Sequence, residues 1–166
     1  SMAADAASIR SFKASKAFIS SSFISRCSAA AASVSARASL IRPAGYYNIK
    51  AQRLKNLVDF FVERYRGSIR GTFSADTRLL REQLLSVNGI GPETADSILL
   101  YAFARPVFVV DAYAKRIFSR HRFIDADGTY EEVQAFCMRG LPRRVALFNE
   151  YHALLVRVGK EFCLKR

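Results

Sequence analysis

From Leu40 to the end of the chain, apolar residues recur at helical spacing, interrupted by short turns that contain Gly or Pro. Pro43-Ala44-Gly45 reads as the first of these turns. Between Ile49 and Tyr65 the apolar positions Leu54, Leu57, Val58, Phe61 and Val62 make one stripe, because residues three and four apart share a helix face. Gly67 and Gly71 break that helix. Ser74 or Asp76 caps the next one, with Leu79, Leu80, Leu84 and Leu85 facing inward. Asn88-Gly89-Ile90-Gly91-Pro92 is a tight turn, and Pro92 suits the first turn of the following helix, where its missing N–H would have no partner anyway.

That helix, Glu93 to Phe103, is rich in Ala, Ile and Leu and is expected to be buried. Arg105-Pro106 ends it, and the short apolar run Val107-Phe108-Val109-Val110 comes next. Asp111 then reads as the N-cap of a helix through Arg120. After the polar turn Asp125-Ala126-Asp127-Gly128, Thr129 and Glu132 have the spacing of a capping box. Leu141-Pro142 breaks the chain once more, and a long final helix spans roughly Arg144 to Phe162, with Val145, Phe148, Leu155, Val156 and Val158 apolar. No alternating strand pattern recurs, so the expected class is all-α.

Residues 1–39 have a different character. They are dominated by Ala and Ser, with Asp5 the single acid among five basic residues. An Arg- and Ser-rich, acid-poor start is similar to an organellar transit peptide. Phe12, Ile19 and Phe23 would nevertheless align on one helix face, so a basic helical segment is the competing reading. The organisation expected is therefore this segment, helical or poorly ordered, followed by one domain over residues 40–166.

Charge narrows the partner. The chain carries 26 Lys and Arg against 14 Asp and Glu, a net +12. Beyond residue 39 there remain 21 basic and 13 acidic residues, a net +8, so the basic character does not depend on the N-terminal segment. Basic residues spread from Lys50, Arg53 and Lys55 through Arg64, Arg66, Arg70, Arg78 and Arg81 to Arg143 and Arg144. A broad cationic face favours a polyanion, since each neutralised phosphate releases counterions. A surface charged for solubility is the alternative. No apolar run approaches the ~18–20 residues of a membrane span. Cys27, Cys137 and Cys163 have no paired spacing, which argues against a disulfide framework and for a reducing, intracellular compartment: cytoplasm or nucleoid in a bacterium, with an organelle as the other option.

The segment from Leu84 to Ala95 carries the most chemical information. Two glycines flank Ile90 between two helices, so backbone can approach a phosphate with no Cβ in the way. The unpaired N–H groups and dipole of the second helix would then favour the negative charge. An ordinary connection between helices that happens to use two glycines is the competing reading of this segment alone.

The wider context decides between them. Leu84-Leu85-Ser86-Val87-Asn88-Gly89-Ile90-Gly91-Pro92-Glu93-Thr94-Ala95 resembles the helix-hairpin-helix motif. The adjoining stretch, through Arg105-Pro106 to Val109-Val110-Asp111, resembles the Gly/Pro-rich loop and aspartate of the endonuclease III-like DNA glycosylases. The likeness extends upstream to Ile41-Arg42-Pro43-Ala44-Gly45-Tyr46-Tyr47-Asn48 and downstream to Asn149-Glu150-Tyr151-His152 and Gly159-Lys160, covering residues 40–166. It implies a helical barrel that carries the hairpin, and an enzyme of base excision repair acting on double-stranded DNA as a monomer.

The resemblance implies a role for each matching position. Asp111 matches the catalytic carboxylate, a role compatible with capping its helix. The backbone N–H groups of Gly89, Gly91, Glu93 and Thr94 match phosphate donors. The carbonyls of Leu85, Val87 and Ile90 match those that hold a monovalent cation, Na+ or K+, in some relatives. Glu93 stands where strand-cleaving members carry a lysine, whose amine forms a Schiff base with the sugar. A glutamate cannot form that imine, which implies base removal without lyase activity. The hairpin is most similar to that of the 3-methyladenine glycosylase branch, so alkylated purines are the expected substrates; mismatched or oxidised bases, or DNA binding without catalysis, are the alternatives.

A base must leave the stack to be cut, and aromatic side chains would then hold it. Tyr46, Tyr47 and Tyr113, with Tyr101 and Phe103, are candidates, each also explicable as core. His152 on the final helix is a further candidate for the same pocket, or a structural histidine. Two features depart from the family. Residues 1–39 show no Gln-x-Thr-type wedge, and Cys163 resembles only the first of four cysteines that bind a [4Fe–4S] cluster in many relatives. No cofactor is expected to be required by this chain, and a cluster only in a longer parent.

Overall fold

The computed structural model describes residues 41–68 and 72–165. The expectations placed on residues 1–39, on Gly71 and on Cys27 lie outside the described residues. The chain forms two compact units, one ending at Ile90 and the other starting at Gly91. Among the described residues every regular element is helical, as the apolar spacing requires.

In the first unit a short 3-10 turn, Arg42–Ala44, precedes helix α1 (Tyr47–Tyr65), and α2 (Thr77–Leu85) comes after it. Asp76 caps α2, its carboxylate accepting from the N–H groups of Arg78 at 2.9 Å and Leu79 at 3.0 Å. Ser74 is thereby passed over, because the carboxylate one residue before Thr77 reaches two otherwise orphaned donors. Ala51, Val58 and Phe61 of α1 and Leu80 and Leu84 of α2 are buried. Leu79, expected to face inward, is exposed, as is Val62 of the α1 stripe. The stripe on each helix is narrow: Leu80 and Leu84, four apart, fill the inward face of α2, and Leu79 falls a third of a turn away.

The second unit holds α3 (Pro92–Ser97), a π-turn (Ile98–Ala102), α4 (Ala112–Arg120), α5 (Tyr130–Gly140) and α6 (Val145–Glu161). Pro92 opens α3 as expected, but the helix through Phe103 is not regular. Its second half widens, with the N–H of Phe103 donating to the carbonyl of Ile98, five residues back, at 3.2 Å. Asp111 caps α4. Thr129 and Glu132 close the capping box of α5, the Thr129 N–H donating to the Glu132 carboxylate at 2.7 Å and the Glu132 N–H to Thr129 Oγ1 at 3.2 Å. Val158, in the last turns of α6, is exposed, while Phe148 and Leu155 are buried.

Leu100, Phe108, Val110, Ala114, Phe118, Val133 and Phe148 are among the residues that form this unit's core. Threaded through it is a polar network. Asp96 is fully buried and accepts from Tyr130 Oη and Gln134 Nε2, each at 2.8 Å. Gln134 Nε2 also donates to the carbonyl of Phe108 at 2.7 Å. These bonds fasten α3 and the run Val107-Phe108-Val109-Val110 to α5, fixing the segment that delivers Asp111.

Helices α4 and α6 approach closely because residue 159 has no side chain: a Cβ there would lie 2.7 Å from that of Tyr113. Arg116 locks the pairing, its guanidinium donating to the carbonyls of Gly159 at 2.6 Å and Cys163 at 2.8 Å. No helix among the described residues is long and apolar enough to cross a membrane.

Candidate active site

Asp111 sits where the buried run ends and α4 begins. Its backbone is extended, which frees the side chain to turn back, and Oδ1 accepts the N–H of Ala114 at 2.7 Å. Its other oxygen, Oδ2, lies 3.5 Å from His152 Nε2 on α6. His152 is 8% exposed, and its buried Nε2 forms no hydrogen bond of normal geometry, facing Oδ2 only at ion-pair distance. On the far side of the ring, Nδ1 is 2.5 Å from Tyr101 Oη, which comes from the π-turn. Three elements thus converge in the line Tyr101, His152, Asp111.

The electrostatics of this line are consistent. Burial is the largest influence on Asp111 and pushes its carboxyl up, but His152 and the N–H groups of Ala114 and Tyr113 together outweigh it. The net effect holds Asp111 below the usual carboxylate range, hence ionised at neutral pH. Burial, and then the negative charge of Asp111, raise the Tyr101 phenol well above its ordinary value, so it keeps its proton. An ionised carboxylate only accepts. The network therefore assigns the proton on Nε2 to the side facing Asp111, and Tyr101 donates to Nδ1.

Glu93, in the first turn of α3, responds to the same group. Partial burial and then the charge of Asp111 push its carboxyl up, while His152 pulls it down. The two carboxyls are thus shifted in opposite directions, Asp111 down and Glu93 up.

The other sequence candidates occupy different surroundings. Tyr46 is 85% exposed with left-handed backbone, and Tyr47 begins α1 beneath the Arg42 guanidinium at 5.9 Å. Both belong to the first unit. Tyr113 is engaged in packing, with Gly159 against its ring and Arg116 5.1 Å above it. Tyr101, which the sequence placed only among several aromatics, is the one bonded to His152. Nothing in the spacing marks that pair, because 51 residues separate the two and the π-turn sets the face that Tyr101 presents.

Of the hairpin residues, Gly89 has φ of 90°, a region that other residues rarely adopt, and a Cβ there would run into the Arg53 side chain. The turn is closed by Ile90 N–H donating to the Val87 carbonyl at 3.0 Å, and Asn56 Nδ2 donates to the Asn88 carbonyl at 3.0 Å. Ile90 is buried. Gly91 caps α3, and Glu93 and Thr94 hold first-turn positions, whose N–H groups an α-helix leaves unpaired internally. Gly89→Ala is expected to cost about 1–2 kcal/mol, from the positive φ alone. A chemical-denaturation midpoint equal to that of the parent would show that the turn tolerates a side chain.

Cys163 lies after α6, its thiol accepting from Arg120 Nη1 at 3.1 Å. Burial acts upward on this thiol, but Arg120 and Arg116 lower it overall. No group of three or more His, Cys, Asp or Glu side chains placed to hold a metal occurs among the described residues. Cys137 is buried in the core, its thiol pushed up to about 12 by desolvation. These residues do not fit an iron–sulfur cluster, which takes four thiolates. The Val87 carbonyl accepts the Ile90 N–H, and those of Leu85, at the end of α2, and Ile90 are the other oxygen donors the sequence assigned to a monovalent cation.

A family model described as "HhH-GPD superfamily base excision DNA repair protein" matches residues 3–143. The chain belongs to the HhH-GPD superfamily. Among curated relatives, a Methanocaldococcus jannaschii protein provisionally named a DNA repair glycosylase is 51% identical over 76% of this chain and 58% of its own length. Endonuclease III of Sulfolobus acidocaldarius is 29% identical over 76% of this chain and 53% of its own. The chain therefore spans little more than half the length of these relatives. Among solved structures, H. pylori 3-methyladenine DNA glycosylase bound to 1,N6-ethenoadenine superposes with a TM-score of 0.69 at 30% identity, over 82% of this chain and 66% of that one. The helical architecture is thus that of the HhH-GPD glycosylases, and the superfamily resemblance read from the hairpin and Asp111 holds.

Proposed function

We propose that this protein is a monofunctional DNA glycosylase that hydrolyses the N-glycosidic bond of an alkylated purine flipped out of double-stranded DNA. The observation that carries the reading is the Asp111 carboxylate, largely buried yet held ionised by His152 and two backbone donors. As the bond between C1′ and the base nitrogen breaks, the electron pair leaves with the base and positive charge grows on the sugar. A fixed anion in a partly desolvated site stabilises that charge, and can orient the water whose oxygen then bonds to C1′. An alkylated purine carries its own positive charge, so it departs neutral with little help from an acid.

Glu93 supports hydrolysis over lyase chemistry, because no amine stands at its position to capture the sugar. The alkylated-purine class is supported by the likeness to the H. pylori 3-methyladenine glycosylase, whose bound 1,N6-ethenoadenine is a modified adenine. The relatives named endonuclease III favour a second reading, release of a different class of damaged base. The resemblance of the segment around Gly89, Gly91, Glu93 and Thr94 to a phosphate-binding motif, and the net charge of +12, support the DNA partner. A monovalent cation on the Leu85, Val87 and Ile90 carbonyls would add positive charge beside that phosphate. Monomeric action inside the cell completes the proposal.

The test is base release from duplexes that each carry one of 3-methyladenine, 1,N6-ethenoadenine, thymine glycol, 8-oxoguanine or uracil. Release confined to the alkylated or etheno purines is the expected result. Release of thymine glycol or 8-oxoguanine alone would move the substrate class to oxidised bases. Binding without release from any duplex would leave a DNA-binding module.

A further inference from the structure

Each oxygen of Asp111 faces a polar group, and one of these groups is itself held by a third residue. Ala114 N–H holds Oδ1 at 2.7 Å, and His152 Nε2 faces Oδ2 at 3.5 Å. The imidazole is in turn held from behind by Tyr101 Oη at 2.5 Å on Nδ1, with the two rings 6.0 Å apart and tilted by 42°. A histidine pinned at one nitrogen by a phenol has its ring orientation and tautomer set before substrate arrives, the role that outer hydrogen-bond partners play for histidines in other sites.

We infer that Tyr101 and His152 form a tether that aims the Asp111 carboxylate at the sugar. The inference rests on the proposed glycosylase reading and deepens it. Both are positioning residues: they act through Asp111 and need not touch the DNA. The π-turn gains a purpose, since the wider Ile98–Ala102 turn sets the direction of Tyr101 toward α6. Gly159, by admitting Tyr113 close to α6, supports the same geometry, because α4 begins at Asp111's cap and α6 carries His152.

The groups acting on Asp111 come from each neighbouring element. Glu93 on α3 is repelled by it, Tyr101 on the π-turn reaches it through His152, His152 on α6 supplies a donor, and the N–H groups of Tyr113 and Ala114 on α4 supply two more. Removing the imidazole takes away the donor while burial remains. The Asp111 carboxyl must then titrate at higher pH.

Two readouts on the 166-residue chain test this. In single-turnover base release at saturating enzyme, His152→Ala is expected to slow the chemical step by about tenfold to a hundredfold, the usual loss when an orienting partner is removed. Its affinity for the same duplex should stay within about twofold, since no phosphate contact is touched. The acidic limb of its pH–rate profile should move upward. His152→Gln, which retains a donor, should recover part of the rate, and Tyr101→Phe, lacking one hydroxyl, should shift rate and limb the same way by less.

The second readout does not depend on activity. A carbon-13 NMR titration of the Asp111 carboxyl should show its midpoint rise in His152→Ala and, less, in Tyr101→Phe. Should the parent release no base, the glycosylase reading fails while this titration still decides whether the tether exists. Should His152→Ala fail to fold by circular dichroism, Tyr101→Phe decides alone. A parent-like rate, limb and Asp111 midpoint in a folded variant would overturn the inference. So would a slower rate explained entirely by weaker DNA affinity.

Discussion

Asp111→Asn is expected to slow base release by about a thousandfold, at the upper end of what one preorganised electrostatic group contributes to a transition state. The exchange is well suited to separate charge from fold. Asparagine is as good an N-cap as aspartate, and its side-chain oxygen can still accept the Ala114 N–H that Oδ1 accepts now at 2.7 Å. On the proposed reading, what is lost is the anion that would face the developing charge on the sugar. Single-turnover release on the best substrate measures its effect, and a denaturation curve on the same sample checks that the fold is retained. A variant that is stable, binds DNA and keeps the parent rate would remove Asp111 from the chemistry.

The ionised state also has a signature in stability. The carboxyl of Asp111 is depressed in the fold, so ionisation stabilises the protein above the unfolded carboxylate value. That contribution is lost as pH falls through the lower folded value. Stability should therefore fall in this acid window for the parent and fall less for Asp111→Asn, which has no proton to bind there.

The second large effect lies in the scaffold. Asp96→Ala is expected to destabilise the protein by about 2–4 kcal/mol, because it leaves half-buried donors without their buried acceptor. Tyr130 Oη and Gln134 Nε2, both half-buried, donate to the fully buried Asp96 Oδ2 at 2.8 Å. Gln134 keeps its bond to the Phe108 carbonyl, while both Tyr130 Oη and Gln134 Nε2 lose the Asp96 acceptor. Asp96→Asn retains an oxygen and should cost less. Urea denaturation of the three proteins gives the order parent, Asn, Ala. An alanine variant with the parent's midpoint would mean that the network does not hold α3 and the Val107–Val110 run to α5.

The range of each interaction decides how far it was legible in the sequence. Caps are written within four residues, so Asp76, Pro92, Asp111 and the Thr129–Glu132 box were all readable as they stand. The inward face of α2 is readable from spacing at Leu80 and Leu84, whereas Leu79, expected to face inward, lies exposed. A helix as narrowly buried as α2 needs only two leucines on its inner side, and apolar identity alone does not show which ones.

The site divides along the same line. Asp111 and Glu93 were legible as positions in a motif, and His152 as a candidate. The bond that gives His152 its geometry was not legible, because Tyr101 reaches it from a distant segment through a π-turn whose residues look like any buried helix. Asp96 was hidden for a similar reason. A carboxylate in a helix beside the hairpin looks like a solvent-facing charge until Tyr130 and Gln134 are folded over it.

The central claim is that this site removes a base and goes no further. Its most direct test is to incubate the chain with a duplex labelled on the 3-methyladenine strand and divide the reaction in two. One half is treated with alkali, the other with borohydride. The predicted result is an intact strand that alkali cleaves at the lesion, and no protein–DNA adduct in the borohydride arm, because Glu93 offers no amine to the sugar. A strand already cut before alkali, together with a borohydride-trapped adduct, would contradict it.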